Sequence, residues 1–296
     1  GGENPTTMIE VAGLRKTYGD VVAVEGSTFG VEAGEVFGLV GPNGAGKTTT
    51  LKMLAGLVEP TAGEATVAGH DASETAMRRH LGWLPEESPL YEDMTARSYL
   101  SFFADLYDVP ADVAEERIEE TLDRLDLNER DRKLGDCSKG MRRKVAIARA
   151  LVNDPDVLIF DEPASGLDPV TTQAVVAFTR DLASEGKTVL FSAHDLHQVE
   201  DVCDRVAIMT DGNIVAEGTI PDIRAAHGGI EYRVVTDVAV AAATERDGRY
   251  VSTVSDMDGV EMVREAADDA GGEVLDIRSR EPDLETLFLR VVEDEP

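Results

Sequence analysis

Residues 41–48 read Gly-Pro-Asn-Gly-Ala-Gly-Lys-Thr, a full match to the pattern GxxxxGK[ST]. Few short stretches restrict a fold as tightly. The glycines let the backbone wrap closely enough for its N–H groups to face an oxyanion, and a helix starting directly afterwards aims its positive dipole end at the same point. Such a loop needs a strand before it and a helix after it. Both flanks comply: residues 36–40 are a short apolar run, and from Thr48 the chain continues Thr-Thr-Leu-Lys-Met-Leu-Ala with helical periodicity. The expectation is a phosphate loop in which Gly41, Pro42, Asn43, Gly44, Ala45, Gly46, Lys47, Thr48 and Thr49 surround a nucleotide. Lys47 would neutralise the β- and γ-phosphates, and the Thr48 hydroxyl would ligate Mg²⁺.

A second element follows downstream. Residues 157–160, Val-Leu-Ile-Phe, form an apolar run ending in Asp161 and Glu162. A buried strand delivers such carboxylates to the C-terminal edge of its sheet, where open α/β sheets hold their ligands. Asp161 is then expected to hold Mg²⁺ through its water shell, and Glu162 to polarise an attacking water as general base. Residues 188–192 and 206–209 repeat the buried-strand composition, with helical stretches between, which is the βαβ rhythm of a parallel sheet covered on both faces. Residues 9–32 instead show short β-prone pieces with turn signals such as Tyr18-Gly19-Asp20, as expected for an antiparallel layer. From about 89 to 153 Ala, Glu, Arg and Leu dominate, with Val113, Ile118, Leu122 and Leu125 at three- and four-residue spacing, and this reads as a helical insertion.

After Pro221 the rhythm changes, and Gly228-Gly229 reads as a linker. From Glu231 onward there are 18 acids, seven arginines and no lysine. Residues 230–235 and 274–277 read as strands and 260–270 and 283–292 as helices, so residues 229–296 are expected to form a small α+β accessory domain. Residues 1–7 read as a flexible tail.

Composition excludes several classes of function. The formal net charge is -30, from 58 acids against 28 bases, of which seven are lysines. That balance repels nucleic acid as a general partner. The acids are spread along the chain, so they describe a solvated surface, and the Lys-poor, acid-rich bias points to a host with a salty cytoplasm. No run of 18 apolar residues occurs and the first residues lack a secretory pattern, so a cytosolic chain is expected. Cys137 and Cys203 show no metal-ligand spacing and read as packing residues.

Between the two phosphate-site elements lies Cys137-Ser138-Lys139-Gly140-Met141-Arg142-Arg143-Lys144, just before the helical residues 145–151. This segment resembles the signature, usually LSGGQ, of the ATP-binding-cassette (ABC) ATPases. Further matches follow in family order: Tyr18 corresponds to the aromatic that stacks on adenine, Ser165-Gly166-Leu167-Asp168 to the D-loop, and His194 to the switch histidine that contacts the γ-phosphate. The resemblance covers about residues 8–219.

It implies an α/β fold with a P-loop NTPase core of RecA type, the antiparallel layer and helical insertion read above, and an ABC ATPase domain over residues 8–228. It also implies two ATPs held between two head-to-tail subunits, each phosphate loop facing the other subunit's Ser138, Gly140 and Met141. The partners implied are a second copy of the ATPase and an integral membrane permease gripped around residues 90–106, and the place implied is the inner face of the cell membrane. Two departures stand out. Glu86, in Leu84-Pro85-Glu86-Glu87, replaces a glutamine that touches Mg²⁺, and Lys139 and Met141 replace a glycine and the glutamine of the signature. Both substitutions, and the segment at residues 281–289, resemble a branch that serves exporters with separately encoded permeases. A soluble ABC protein acting on ribosomes or DNA is disfavoured by the single cassette, the absence of a heptad run and the acidic charge. An inactive nucleotide sensor is disfavoured because Lys47, Asp161, Glu162 and His194 are all present. The cargo stays open.

Overall fold

Period-two patterns in the first residues become long strands in this computed structural model, which describes residues 7–227, 231–246, 248–280 and 284–293. Strands β1 (Thr7–Tyr18) and β2 (Val21–Glu32) pair antiparallel across a turn at Gly19-Asp20. Each runs 12 residues, so the expected short pieces are in fact two long strands whose register shifts break the alternation, one of them between Val11 and Leu14. Thr7 belongs to β1 and not to a tail, and residues 1–6 lie outside the described residues.

Strand β3 (Val36–Val40) leads into helix α1 (Lys47–Leu54), and β4 (Ala62–Val67) and β5 (His70–Asp71) return to the antiparallel layer, whose order is β2-β1-β4-β5. Apolar side chains of this layer, among them Ile9, Leu14, Val24 and Val31, share one core with Leu51 and Leu54 of α1 and with Phe37, Leu39 and Ile159 of the central sheet. Phe29 stacks on Phe37 with ring centroids 5.5 Å apart, tying the two sheets together.

Strand β6 (Leu81–Leu84) precedes three helices, α2 (Ala96–Leu106), α3 (Ala111–Arg124) and α4 (Lys139–Leu151). Helix α2 starts with a capping box between Thr95 and Ser98, satisfying N–H groups that the first turn leaves free. Helix α4 also covers the central sheet: a Cβ on Gly82 of β6 would lie 2.1 Å from the Ala150 carbonyl oxygen. The expected insertion therefore shares its last helix with the core.

The remaining elements of the cassette are β7 (Val157–Phe160), α5 (Pro169–Ser184), β8 (Thr188–Ala193), α6 (Leu196–Glu200), β9 (Arg205–Thr210) and β10 (Asn213–Gly218). The central sheet has the order β10-β9-β3-β8-β7-β6, parallel except for β10. Every residue of β3, β7 and β8 is buried, as covering on both faces requires.

The chain divides into two compact units at Thr219/Ile220. That is nine residues earlier than the expected boundary, because α7 (Ile220–His227) packs with α9 (Leu284–Glu293) through buried Ile220, Ile223, Leu287 and Val291. The expected linker glycines, Ile230 and residues 281–283 lie outside the described residues. In this second unit β11 (Glu231–Thr236), β12 (Thr244–Arg246), β13 (Arg249–Val254) and β14 (Val274–Arg280) form an antiparallel sheet of order β12-β13-β11-β14, with α8 (Met257–Asp269) on one face. Among the described residues no helix is long and apolar enough to cross a membrane.

Candidate nucleotide site

Three strand ends meet at one edge of the central sheet. Val40 of β3 pairs with Ala193 of β8, and Phe191 of β8 pairs with Phe160 of β7, so Gly41, His194 and the Asp161-Glu162 pair leave the sheet side by side. Glycine is required at two points of the loop after β3. A Cβ on Gly41 would lie 2.1 Å from the Met209 carbonyl oxygen, and Gly46 has φ 104° with a would-be Cβ 2.5 Å from the Ala23 oxygen. Asn43 to Thr49, with Ala23, Glu86 and Glu162, line an open cavity of about 380 Å³.

Lys47 is buried. Its ammonium donates to the carbonyls of Gly41 and Pro42 at 2.6 and 3.1 Å, and lies 3.6 Å from Glu162 Oε1. These two carbonyls hold the charge at the loop, where a phosphate oxygen could take their place. Glu162 is 7% exposed and its other oxygen, Oε2, hydrogen-bonds to His194 Nδ1 at 2.7 Å. One carboxylate thus spans from the loop lysine to a half-exposed histidine.

The Thr48 hydroxyl donates to Asp161 Oδ1 at 3.1 Å. Glu86, on the loop after β6, lines the same cavity. Among the described residues no group of three or more His, Cys, Asp or Glu side chains could hold an ion, so a divalent cation here must draw on the hydroxyl and on phosphate oxygens as well as carboxylates. A hard cation of the Mg²⁺ type fits that oxygen-only donor set.

The expected residues from elsewhere in the sequence stand apart. Tyr18 is half exposed at the end of β1, with the Lys16 ammonium 5.1 Å from its ring centroid. Ser138 caps α4 by accepting the Met141 N–H at 3.2 Å, and Gly140 packs against Thr171. Neither Tyr18 nor Ser138, Gly140 or Met141 lines the cavity at the phosphate loop. The Lys139 ammonium lies against Gly166, where a Cβ would come within 2.2 Å of it. Asp168 caps α5 by accepting the N–H groups of Val170 and Thr171, and the bond from the Thr171 hydroxyl, together with these, holds its carboxyl below the usual range.

Sequence reasoning missed two residues. Ser192 of β8 donates to Asp161 Oδ1 at 2.7 Å and accepts the Glu162 N–H at 3.0 Å. Its hydroxyl fixes Glu162, a non-glycine residue at φ 48°, in the left-handed region. Arg143 of α4 is the second. Its guanidinium is buried and donates to the carbonyls of Asp161, Glu162 and Pro163 at 3.0, 2.8 and 2.8 Å, and to those of Pro85 and Glu86 at 2.7 and 2.9 Å. Burial pushes its pKa down to about 10, which leaves it charged at neutral pH. Its place one turn before Ile147 on a buried helix face was the available signal, hidden by the bases Arg142 and Lys144 on either side.

Comparison with known proteins agrees with this geometry. Residues 24–165 match the ABC transporter family. The chain is 40% identical to the Nod factor export ATP-binding protein I of Burkholderia lata over 79% of its own length and 76% of that protein. It is 36% identical to the daunorubicin resistance ATP-binding protein DrrA3 of Streptomyces coeruleorubidus over 98% and 97%. Among solved structures, the ATP-binding subunit of an ABC transporter superposes with a TM-score of 0.69 at 34% identity, covering 75% of this chain and 94% of that one. The dimeric structure of MJ0796, a bacterial ABC transporter cassette, gives 0.65 at 27% identity over 72% and 99%. A phosphate loop, a carboxylate pair and a histidine assembled on one sheet edge, in a chain with relatives of this identity and coverage, establish that the protein belongs to the ATP-binding subunits of ABC transporters and is an ATPase.

Proposed function

We propose that this ATPase works as a homodimer on the cytoplasmic face of the membrane, beneath a separate integral membrane permease, and that ATP-driven closure of the dimer powers export. The observation that carries the reading is the split of the site. Lys47, Glu162 and His194 are joined by contacts at the phosphate loop, whereas Ser138, Gly140 and Met141, at the start of α4, neither line its cavity nor contact these three, which supports a second copy supplying them. Relatives named for Nod factor export and for daunorubicin resistance support the direction of transport. An aromatic patch on the helical region, with Tyr91 55% and Phe102 40% exposed, suits a permease helix.

In this reading Lys47 exchanges the Gly41 and Pro42 carbonyls for β- and γ-phosphate oxygens. Tyr18 stacks on adenine. Thr48, Asp161 and Glu86 would hold Mg²⁺, which would supply neutralisation of phosphate charge. Glu162 accepts a proton from the attacking water as His194 steadies the carboxylate and reaches the γ-phosphate. The acidic surface leaves no role for nucleic acid.

The test is Glu162→Gln. Turnover is expected to fall by ~10²-fold or more as the amide loses the base function. ATP binding should persist and a dimer should accumulate with MgATP on size-exclusion chromatography, whereas Lys47→Ala loses binding and dimer together. Hydrolysis by Glu162→Gln near the parent rate would move the base elsewhere.

A further inference from the structure

The second unit carries a charge feature that ATP hydrolysis does not use. Seven arginines lie between Glu231 and the C-terminus among 18 acids, yet four of them, Arg233, Arg246, Arg249 and Arg278, line one pocket of about 510 Å³. Each of the four strands contributes one. The pocket lies on the sheet face opposite the apolar core of Val234, Val260 and Val263, and Val235 and Val251, cross-strand partners, line it as well.

The pairing puts like charges face to face. Arg233 lies directly opposite Arg278 across β11 and β14, and Arg246 directly opposite Arg249 across β12 and β13. Like charges directly opposite on adjacent strands destabilise a sheet. Asp276 also lines the pocket, and among the described residues Arg278 is the one of the four arginines that bonds to it, donating at 2.7 Å. Among the described residues Arg233, Arg246 and Arg249 make no ion pair, whereas Arg264 and Arg290 of the same unit pair with Glu261 and Glu231. In a chain with twice as many acids as bases, three unpaired arginines in one concavity are an arrangement that an external anion would relieve.

We propose that this pocket binds a soluble phosphorylated small molecule. Planar guanidinium forks match phosphoryl oxygens, and two forks side by side can share one phosphoryl group. The two arginine pairs are four residues apart along β13, since Arg233 faces Thr253 and Arg249 starts that strand. That separation is about 13 Å at strand rise. It suits a ligand with two anionic groups and an apolar or ring portion over Val235 and Val251. Lipid headgroups carry the same chemistry, but the site is a concavity one sheet face wide, which suits a free ligand better than a bilayer surface.

The experiment titrates pyrophosphate into the full chain by calorimetry, at the lowest KCl concentration that keeps it folded. The Lys47→Ala chain removes the phosphate-loop contribution. Binding should remain in Lys47→Ala, and should weaken at least tenfold when Arg233→Ala and Arg249→Ala are added. In the otherwise unchanged chain, the arginine double variant should keep the parent's ATPase rate and MgATP affinity. It should also melt no lower than the parent, because two like-charge contacts are removed. Loss of all pyrophosphate binding in Lys47→Ala, or no weakening in the arginine variant, overturns the proposal. So does a marked drop in its melting temperature, which would make the arginines structural. Sedimentation with phosphatidylglycerol vesicles without pyrophosphate binding would assign the face to lipid and also overturn it.

Discussion

Replacing Arg143 with methionine keeps most of the side chain's length and removes its five carbonyl contacts. Of the five acceptors, those of Asp161, Glu162 and Pro163 belong to buried residues, but the Glu162 carbonyl also accepts the Ser165 N–H at 3.1 Å and keeps that bond, and Glu86 is exposed enough for water to replace the guanidinium. An unsatisfied buried acceptor costs about 1–3 kcal/mol, so the two of Asp161 and Pro163 cost roughly 2–6. Removing a desolvated charge offsets part of this. A net loss of about 2–4 kcal/mol is expected, read by urea unfolding of parent and variant in matched KCl. Arg143→Lys should fall between them, because one ammonium with three protons cannot satisfy carbonyls from two separate loops. Turnover should fall in both, since the left-handed turn that aims Glu162 loses its support. A methionine variant within 1 kcal/mol of the parent with unchanged ATPase rate would refute the argument.

The remaining predictions concern charge and modularity. With a net charge of -30, melting temperature should rise from dilute buffer to molar KCl, and a flat or falling trend in thermal melts would remove the salt-adaptation reading. Glu119 is held down to about 2 by hydrogen bonds from Arg97 and Arg130, against 4.5 ordinarily. Its contribution is therefore complete above about pH 4.5 and is lost as pH falls through about 2, so Glu119→Gln should lower the melting temperature at pH 7 and match the parent at the acid end. The pairs are partly exposed, so the effect should be about 1 kcal/mol or less and should shrink in salt. A chain ending after Thr219 should keep MgATP affinity within a few-fold by fluorescence titration, because all residues at the phosphate loop precede that point.

What could be read from the sequence followed how completely each element is buried. Strands β3, β7 and β8 are enclosed on both faces, so their residues are apolar without interruption and their ends deliver the loop and the carboxylates where expected. The antiparallel strands were harder. In β1 the buried positions run 9, 11, 14, and the change of parity at the register shift makes one long strand look like fragments. The domain boundary was misplaced because a pair of glycines outweighed two isoleucines, Ile220 and Ile223, whose helix completes the second unit. Ser192 was invisible for a different reason. A hydroxyl inside an apolar run reads as a tolerated small residue, and only the neighbouring strand end reveals what it bonds.

That hydroxyl leaves the hydrolytic edge with very little freedom. Because one atom on β8 grips both the Asp161 carboxylate and the Glu162 amide, the ends of two strands are stapled, and His194 lies two residues beyond the staple. A displacement of β8 cannot reach the histidine without carrying both acids along. The two acids are thus coupled at this edge: a change felt by the Ser192 hydroxyl, whether a substitution or a shift of the strand end, acts on the Asp161 carboxylate and on the backbone that aims Glu162 together.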